Sequence, residues 1–144
     1  MVALPPMSPV STAAQEAPPV VGVIDSDPFA RSAMKSMLLP VGVDVVEFDS
    51  AESYLLSGSA RHLACLIVDL LLPGMSGLEL LRRLRSNGSD VPVILLADES
   101  DVPTAVAAMR EGATDFIEKP YVDAAVLRQV QKLLHSHGDG APLT

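Results

Sequence analysis

Five short runs of apolar, largely β-branched residues alternate strictly with segments of helical periodicity, and no other feature of the chain constrains its fold so tightly. The runs are residues 20–25 (VVGVID), 43–48 (VDVVEF), 64–69 (ACLIVD), 91–96 (VPVILL) and 114–118 (TDFIE). Each is bounded by turn or cap residues and reads as a strand. The first, third and fourth are almost unbroken apolar runs, as central parallel strands covered on both faces require. The segments 29–39, 51–57, 76–85, 104–111 and 122–135 read as helices. The third opens on Ser76-Gly77-Leu78-Glu79, a capping-box pattern, and is expected to bury Leu78, Leu81 and Leu84. The fourth stops at Gly112. The fifth carries Val122, Val126, Val130 and Leu133 on one face, with Leu127 and Leu134 beside it.

Such alternation implies right-handed crossovers and a parallel sheet between two helical layers. The expected fold is α/β, a (βα)5 three-layer sandwich. Periodicity does not fix strand order, but five strands allow the flavodoxin-like order 2-1-3-4-5. Ligands of such sheets sit beyond the carboxyl ends of the strands, at the switch point between strands one and three. Residues 1–19 hold five of the twelve prolines and one charge, Glu16, and are expected to form a disordered or polyproline-like extension. Residues 138–144 (GDGAPLT) read as a tail, so one folded domain is expected over 20–137.

Composition narrows the function. Eighteen acids against ten bases give a net charge of -8, which argues against non-specific binding to nucleic acid or an anionic membrane. No apolar run reaches the ~18 residues of a membrane span. The lone Cys65 rules out a disulfide framework and a cysteine-based zinc site, and fits a reducing, cytoplasmic setting. His62, His135 and His137 do not sit at metal-ligand spacings beside a third ligand.

Polar residues at the strand ends carry the chemistry. Strand one stops at Asp25-Ser26-Asp27, strand three at Asp69, and strand five at Lys119-Pro120. In the expected sheet these ends converge, so three carboxylates and an ammonium share one cleft. Like charges at that spacing need a cation, and all-oxygen ligation with retained waters suits Mg²⁺. A carboxylate held by a metal and facing a lysine is also a phosphoryl acceptor. Asp27 precedes Pro28, and a helix N-cap explains it better than metal ligation does. Asp25 and Asp69 each end an apolar strand, where an acid is costly unless paired or solvated, so both point to a site. Lys119 alone could be a solvated loop lysine; Pro120 sets it in a rigid turn, with a cis bond as one form, aimed at the cleft.

The stretches LIVDLLLPGMSGLELLRRLR (66–85) and VPVILLADESDVPTAVAAMREGATDFIEKP (91–120) resemble a bacterial response-regulator receiver domain. The wording is closest to the FixJ-like receivers, which usually drive a C-terminal helix-turn-helix. The resemblance implies phosphoryl transfer from the phosphohistidine of a sensor histidine kinase to Asp69, assisted by Mg²⁺, with Lys119 bonding the phosphoryl group. Phe116 matches the aromatic residue that swings inward on activation; a plain core aromatic is its alternative. Two positions depart from the pattern. Where receivers carry two adjacent acids, this chain has Asp25 and Ser26, and a neutral hydroxyl is the weaker Mg²⁺ ligand, so reduced affinity is expected, with Asp27 a candidate to compensate. Ala97 stands where the family has Thr or Ser, whose hydroxyl bonds a phosphoryl oxygen. A charge-assisted bond of that kind contributes roughly 1.5–3 kcal/mol to the coupling.

The resulting expectation is a single-domain regulator that phosphorylates itself on Asp69 and is not a metabolic enzyme. Its alternatives are a pseudo-receiver acting through protein contacts alone, and the receiver part of a DNA-binding regulator. A flavin carrier is disfavoured, because Asp25-Ser26-Asp27-Pro28 would repel a phosphate. A homodimer surface involving Ala105, Ala108 and Met109 is a further expectation, although such spacing more often marks core. Arg82, Arg83 and Arg85 read as a solvated face.

Overall fold

A computed structural model describes residues 17–58 and 63–139. His62, the side chain of His137 and most of both expected flanking segments lie outside the described residues. Strands β1 (Val20–Ile24), β2 (Asp44–Phe48), β3 (Cys65–Asp69), β4 (Val93–Ala97) and β5 (Asp115–Glu118) alternate with five α-helices. These are α1 (Pro28–Leu38), α2 (Ala51–Leu56), α3 (Gly77–Ser86), α4 (Val102–Arg110) and α5 (Asp123–Asp139). The strands form one parallel sheet in the order β2-β1-β3-β4-β5.

The pleat sends successive side chains to opposite faces. Val21, Val23, Cys65, Ile67, Ile94, Leu96 and Ile117 form one face with Met34 and Leu38 of α1 and Val126 and Val130 of α5. Ile24, Leu66, Val68, Val93, Leu95 and Ala97 form the other, against α2, α3 and α4. The three-layer sandwich expected from the sequence is the one observed. Strands β3 and β4 are buried at every position, in keeping with their unbroken apolar runs. Cys65 is a core thiol that burial pushes up to about 12, so it stays protonated and inert.

Four expectations need correction. Leu78 is only partly buried and Leu80 takes its place, because the core-facing stripe of α3 runs through Gly77, Leu80, Leu81 and Leu84. Val122 precedes α5 and is 69% exposed, since the helix starts only at Asp123. Ala105 and Ala108 are fully buried under α4 and offer no surface to a second chain. Arg82 and Arg83 are exposed as expected, and only Arg85 departs, being partly buried. Arg82 grips Glu111 with two nitrogens (2.6 and 2.9 Å), and Arg85 donates to the Gly112 and Ser89 carbonyls.

The start of α3 fixes the end of β3. Ser76 and Glu79 form the reciprocal capping box, as their spacing predicts. The Gly77 amide donates to the Leu70 carbonyl at 2.9 Å. A Cβ at Gly77 would lie 2.8 Å from the Asp69 carbonyl oxygen and 3.0 Å from the Leu70 Cα. Both are backbone atoms and cannot swing aside. Gly77→Ala is therefore expected to destabilise the chain by roughly 1–3 kcal/mol. A melting temperature unchanged from wild type would show that the helix start shifts freely.

Candidate functional site

Asp25, Asp69 and Lys119 continue the pleat parity of Val23, Ile67 and Ile117, so all three fall at the carboxyl edge on the α1/α5 side. Asp25 and Asp69 follow β1 and end β3, the neighbouring strands on either side of which the connections diverge. Both carboxylates are buried, at 6% and 8% exposure, and are the only charged groups in the described interior. Lys119 closes the cluster: its Nζ donates to Asp69 Oδ2 at 3.1 Å across 50 residues of sequence. The Lys119 amide donates to the Ala97 carbonyl, which ties the loop after β5 to the end of β4. The Lys119–Pro120 bond is cis.

Each carboxylate has a backbone donor. The Asp27 amide donates to Asp25 Oδ1 at 2.9 Å, and the Leu71 amide to Asp69 Oδ1 at 3.3 Å. Arg31 donates to the Asp25 carbonyl at 2.7 Å and lies 3.5 Å from Glu47. Burial pushes the Asp25 carboxyl above its ordinary value; the Asp27 amide opposes this and the neighbouring Asp69 charge adds to it. For Lys119, burial favours the neutral amine. The hydrogen bond that Lys119 donates to Asp69 and the charges of Asp69, Asp25 and Asp98 outweigh it, and the net direction is upward.

The remaining sequence candidates separate. Asp27 is the N-cap of α1, its Oδ1 accepting the Phe29 amide at 2.9 Å, as the Asp-Pro pattern implied. Ser26 is exposed. Ala97 is 1% exposed and belongs, with the partly buried Phe116, to the core layer on the α2–α4 side. Ala97 nonetheless ends β4 at the same carboxyl edge as the acidic cluster, its carbonyl accepting the Lys119 amide. Residues not singled out by sequence also border the cluster. The Asp98 charge helps to hold Lys119 protonated, burial and the nearby Asp25 charge push the Tyr121 phenol upward, and Glu52 bonds the loop that follows Asp69.

Two buried carboxylates with one ammonium leave a net negative charge in a partly dry cleft, which suits a hard divalent cation. Among the described residues no three His, Cys, Asp or Glu side chains converge into an all-protein cage. That suits Mg²⁺, which typically takes one or two carboxylates and keeps several waters. Asp25 and Asp69 are the residues that would hold it.

Fold and cluster together define a parallel α/β module whose chemistry lies on its strand tips. The chain belongs to the response regulator receiver domain family, which it matches over residues 21–131. It is 40% identical over 114 residues to the transcriptional regulatory protein FixJ of Azorhizobium caulinodans, covering 79% of this chain and 54% of that protein. It is 34% identical over 112 residues to FixJ of Bradyrhizobium diazoefficiens, covering 78% and 55%. The crystal structure of a response regulator receiver protein from Pseudoalteromonas atlantica superposes with a TM-score of 0.77 at 35% identity, over 83% of this chain and 99% of that one. The chain thus spans about half the length of the FixJ proteins it matches. It is a two-component signalling receiver, and no helix among its described residues is long and apolar enough to cross a membrane.

Proposed function

We propose that Asp69 accepts a phosphoryl group from the phosphohistidine of a sensor histidine kinase. A carboxylate oxygen attacks phosphorus, the P–N bond breaks, and its electron pair leaves with the imidazole, giving an aspartyl phosphate. The observation that carries this reading is the 3.1 Å contact between Lys119 Nζ and the buried Asp69. Lys119 is placed to follow the charge from the carboxylate to the phosphoryl oxygens. Asp25 and Asp69 would hold Mg²⁺, which would offset the negative charge of the phosphoryl group. Ser26 supplies at most a neutral ligand, and Asp27 is engaged in capping α1, so the affinity is reduced.

The receiver spans 20–137, flanked by 1–19 and 138–144, and acts in the cytoplasm. Ala97 and Phe116 occupy the switch positions. With no hydroxyl at Ala97, phosphorylation has a weaker pull on the α4 face. Val106 and Met109, the exposed large apolar residues of α4, are the surface for a homodimer. The net charge of -8 supports a partner-docking role with no direct nucleic-acid contact by these residues. Ala97 also favours a second reading, a pseudo-receiver that works through protein contacts alone.

Intact mass and phosphoaspartate mapping after incubation with acetyl phosphate separate the two. One added phosphoryl group is expected, fewer without Mg²⁺ and none in Asp69→Asn. No label from any phosphodonor, with amide shifts near Asp69 unmoved by Mg²⁺ and beryllofluoride, would establish the pseudo-receiver.

A further inference from the structure

The loop from Leu70 to Ser76 joins Asp69 to α3, and its outer half is exposed. Both of its ends are held, by the Leu70 amide on the Leu96 carbonyl, the Leu71 amide on Asp69, the Gly77 amide on the Leu70 carbonyl and the Ser76–Glu79 capping box. Leu72 sinks into the core beside it. A polar anchor reaches it from another element: Glu52 of α2, whose Oε2 accepts the Met75 amide at 2.8 Å. Gly74 makes room for this contact. It has φ +79°, and a Cβ there would lie 2.6 Å from Glu52 Oε2.

From this geometry we infer that Glu52 is a positioning residue for phosphoryl uptake, holding the loop that carries the Asp69 backbone donor. The inference rests on the proposed role of Asp69. A charge-assisted bond to a backbone amide resists opening more strongly than a neutral one. Without it the Met75 amide turns to water, and the stretch from Leu71 to Gly74 gains freedom beside the reacting carboxylate. Gly74→Ala should act from the opposite side, because the added methyl occupies the carboxylate's seat and strains a left-handed backbone position.

The test compares wild type, Glu52→Ala, Glu52→Gln and Gly74→Ala. Labelling by acetyl phosphate with Mg²⁺ is followed alongside the Met75 amide shift and the melting temperature. Glu52→Ala and Gly74→Ala are expected to slow maximal labelling by about tenfold, to move the Met75 amide, and to leave the chain folded at the assay temperature. Glu52→Gln, which keeps an acceptor oxygen, should restore most of the rate. The inference is overturned if Glu52→Ala labels as wild type does, if Glu52→Gln is as slow as Glu52→Ala, or if the loss only tracks the unfolded fraction. A wild-type chain that takes no label at all overturns the phosphoacceptor reading, and this inference with it.

Discussion

Lys119→Met is expected to cost about 100-fold or more in the rate of phosphoryl uptake, the range seen when one preorganised donor to a developing charge is removed. It should also destabilise the fold. Methionine keeps most of the aliphatic bulk, so what disappears is the ammonium 3.1 Å from Asp69. Breaking a fully buried pair costs roughly 3–5 kcal/mol, because the surviving charge is stranded. Here the Lys119 side chain is 31% exposed and solvent screens part of that cost, so about 1–3 kcal/mol is the expected loss. Adding Asp69→Asn should restore part of the stability, though none of the labelling, by removing the stranded charge. The folded-state value of Lys119 lies above its unfolded one. The contribution of the lysine's protonation is therefore complete at neutral pH and is lost as pH rises through that raised value. Labelling within about threefold of wild type, or a stability loss that Asp69→Asn fails to relieve, would show that the lysine is a bystander.

The sequence made some of this legible and hid the rest for identifiable reasons. Asp25 and Asp69 stood out because a charge closing an apolar strand has few structural excuses. That they meet Lys119 depends on strand order, which periodicity leaves open and which the flavodoxin-like order, one that five strands allow, provides. The α3 register is ambiguous in the sequence because LELL offers leucines on several faces, and only packing selects Leu80 over Leu78. The partners of Arg82 and Arg85 are hidden because Glu111 and Gly112 lie 29 and 27 residues away on the turn after α4. Glu52 was hidden in the same way. An acid in the first turn of a helix is what the helix dipole favours anyway, and nothing local distinguishes it from one that reaches 23 residues to a loop.

The acidic pair carries a cost that a single substitution should expose. Asp25→Asn is expected to make the metal-free chain more stable, by about 1–2 kcal/mol. The amide can still accept the Asp27 N–H through Oδ1, while the desolvated charge and its repulsion of Asp69 are gone. The wild-type pH profile should carry the same signature. The Asp25 carboxyl is held above its ordinary value, so between the unfolded and folded values the native chain binds the extra proton, and stability falls as pH rises through that window. Mg²⁺ should reverse the ranking. Binding only to the folded state stabilises by about 2.7 kcal/mol at a hundredfold excess over the dissociation constant, and the variant, with one carboxylate left, gains far less. Thermal melts of both chains with and without Mg²⁺ give four numbers that decide the matter. A metal-free variant less stable than wild type would mean that Asp25 is a structural acceptor whose charge the fold needs. Equal stabilisation of both chains by Mg²⁺ would place the cation away from Asp25.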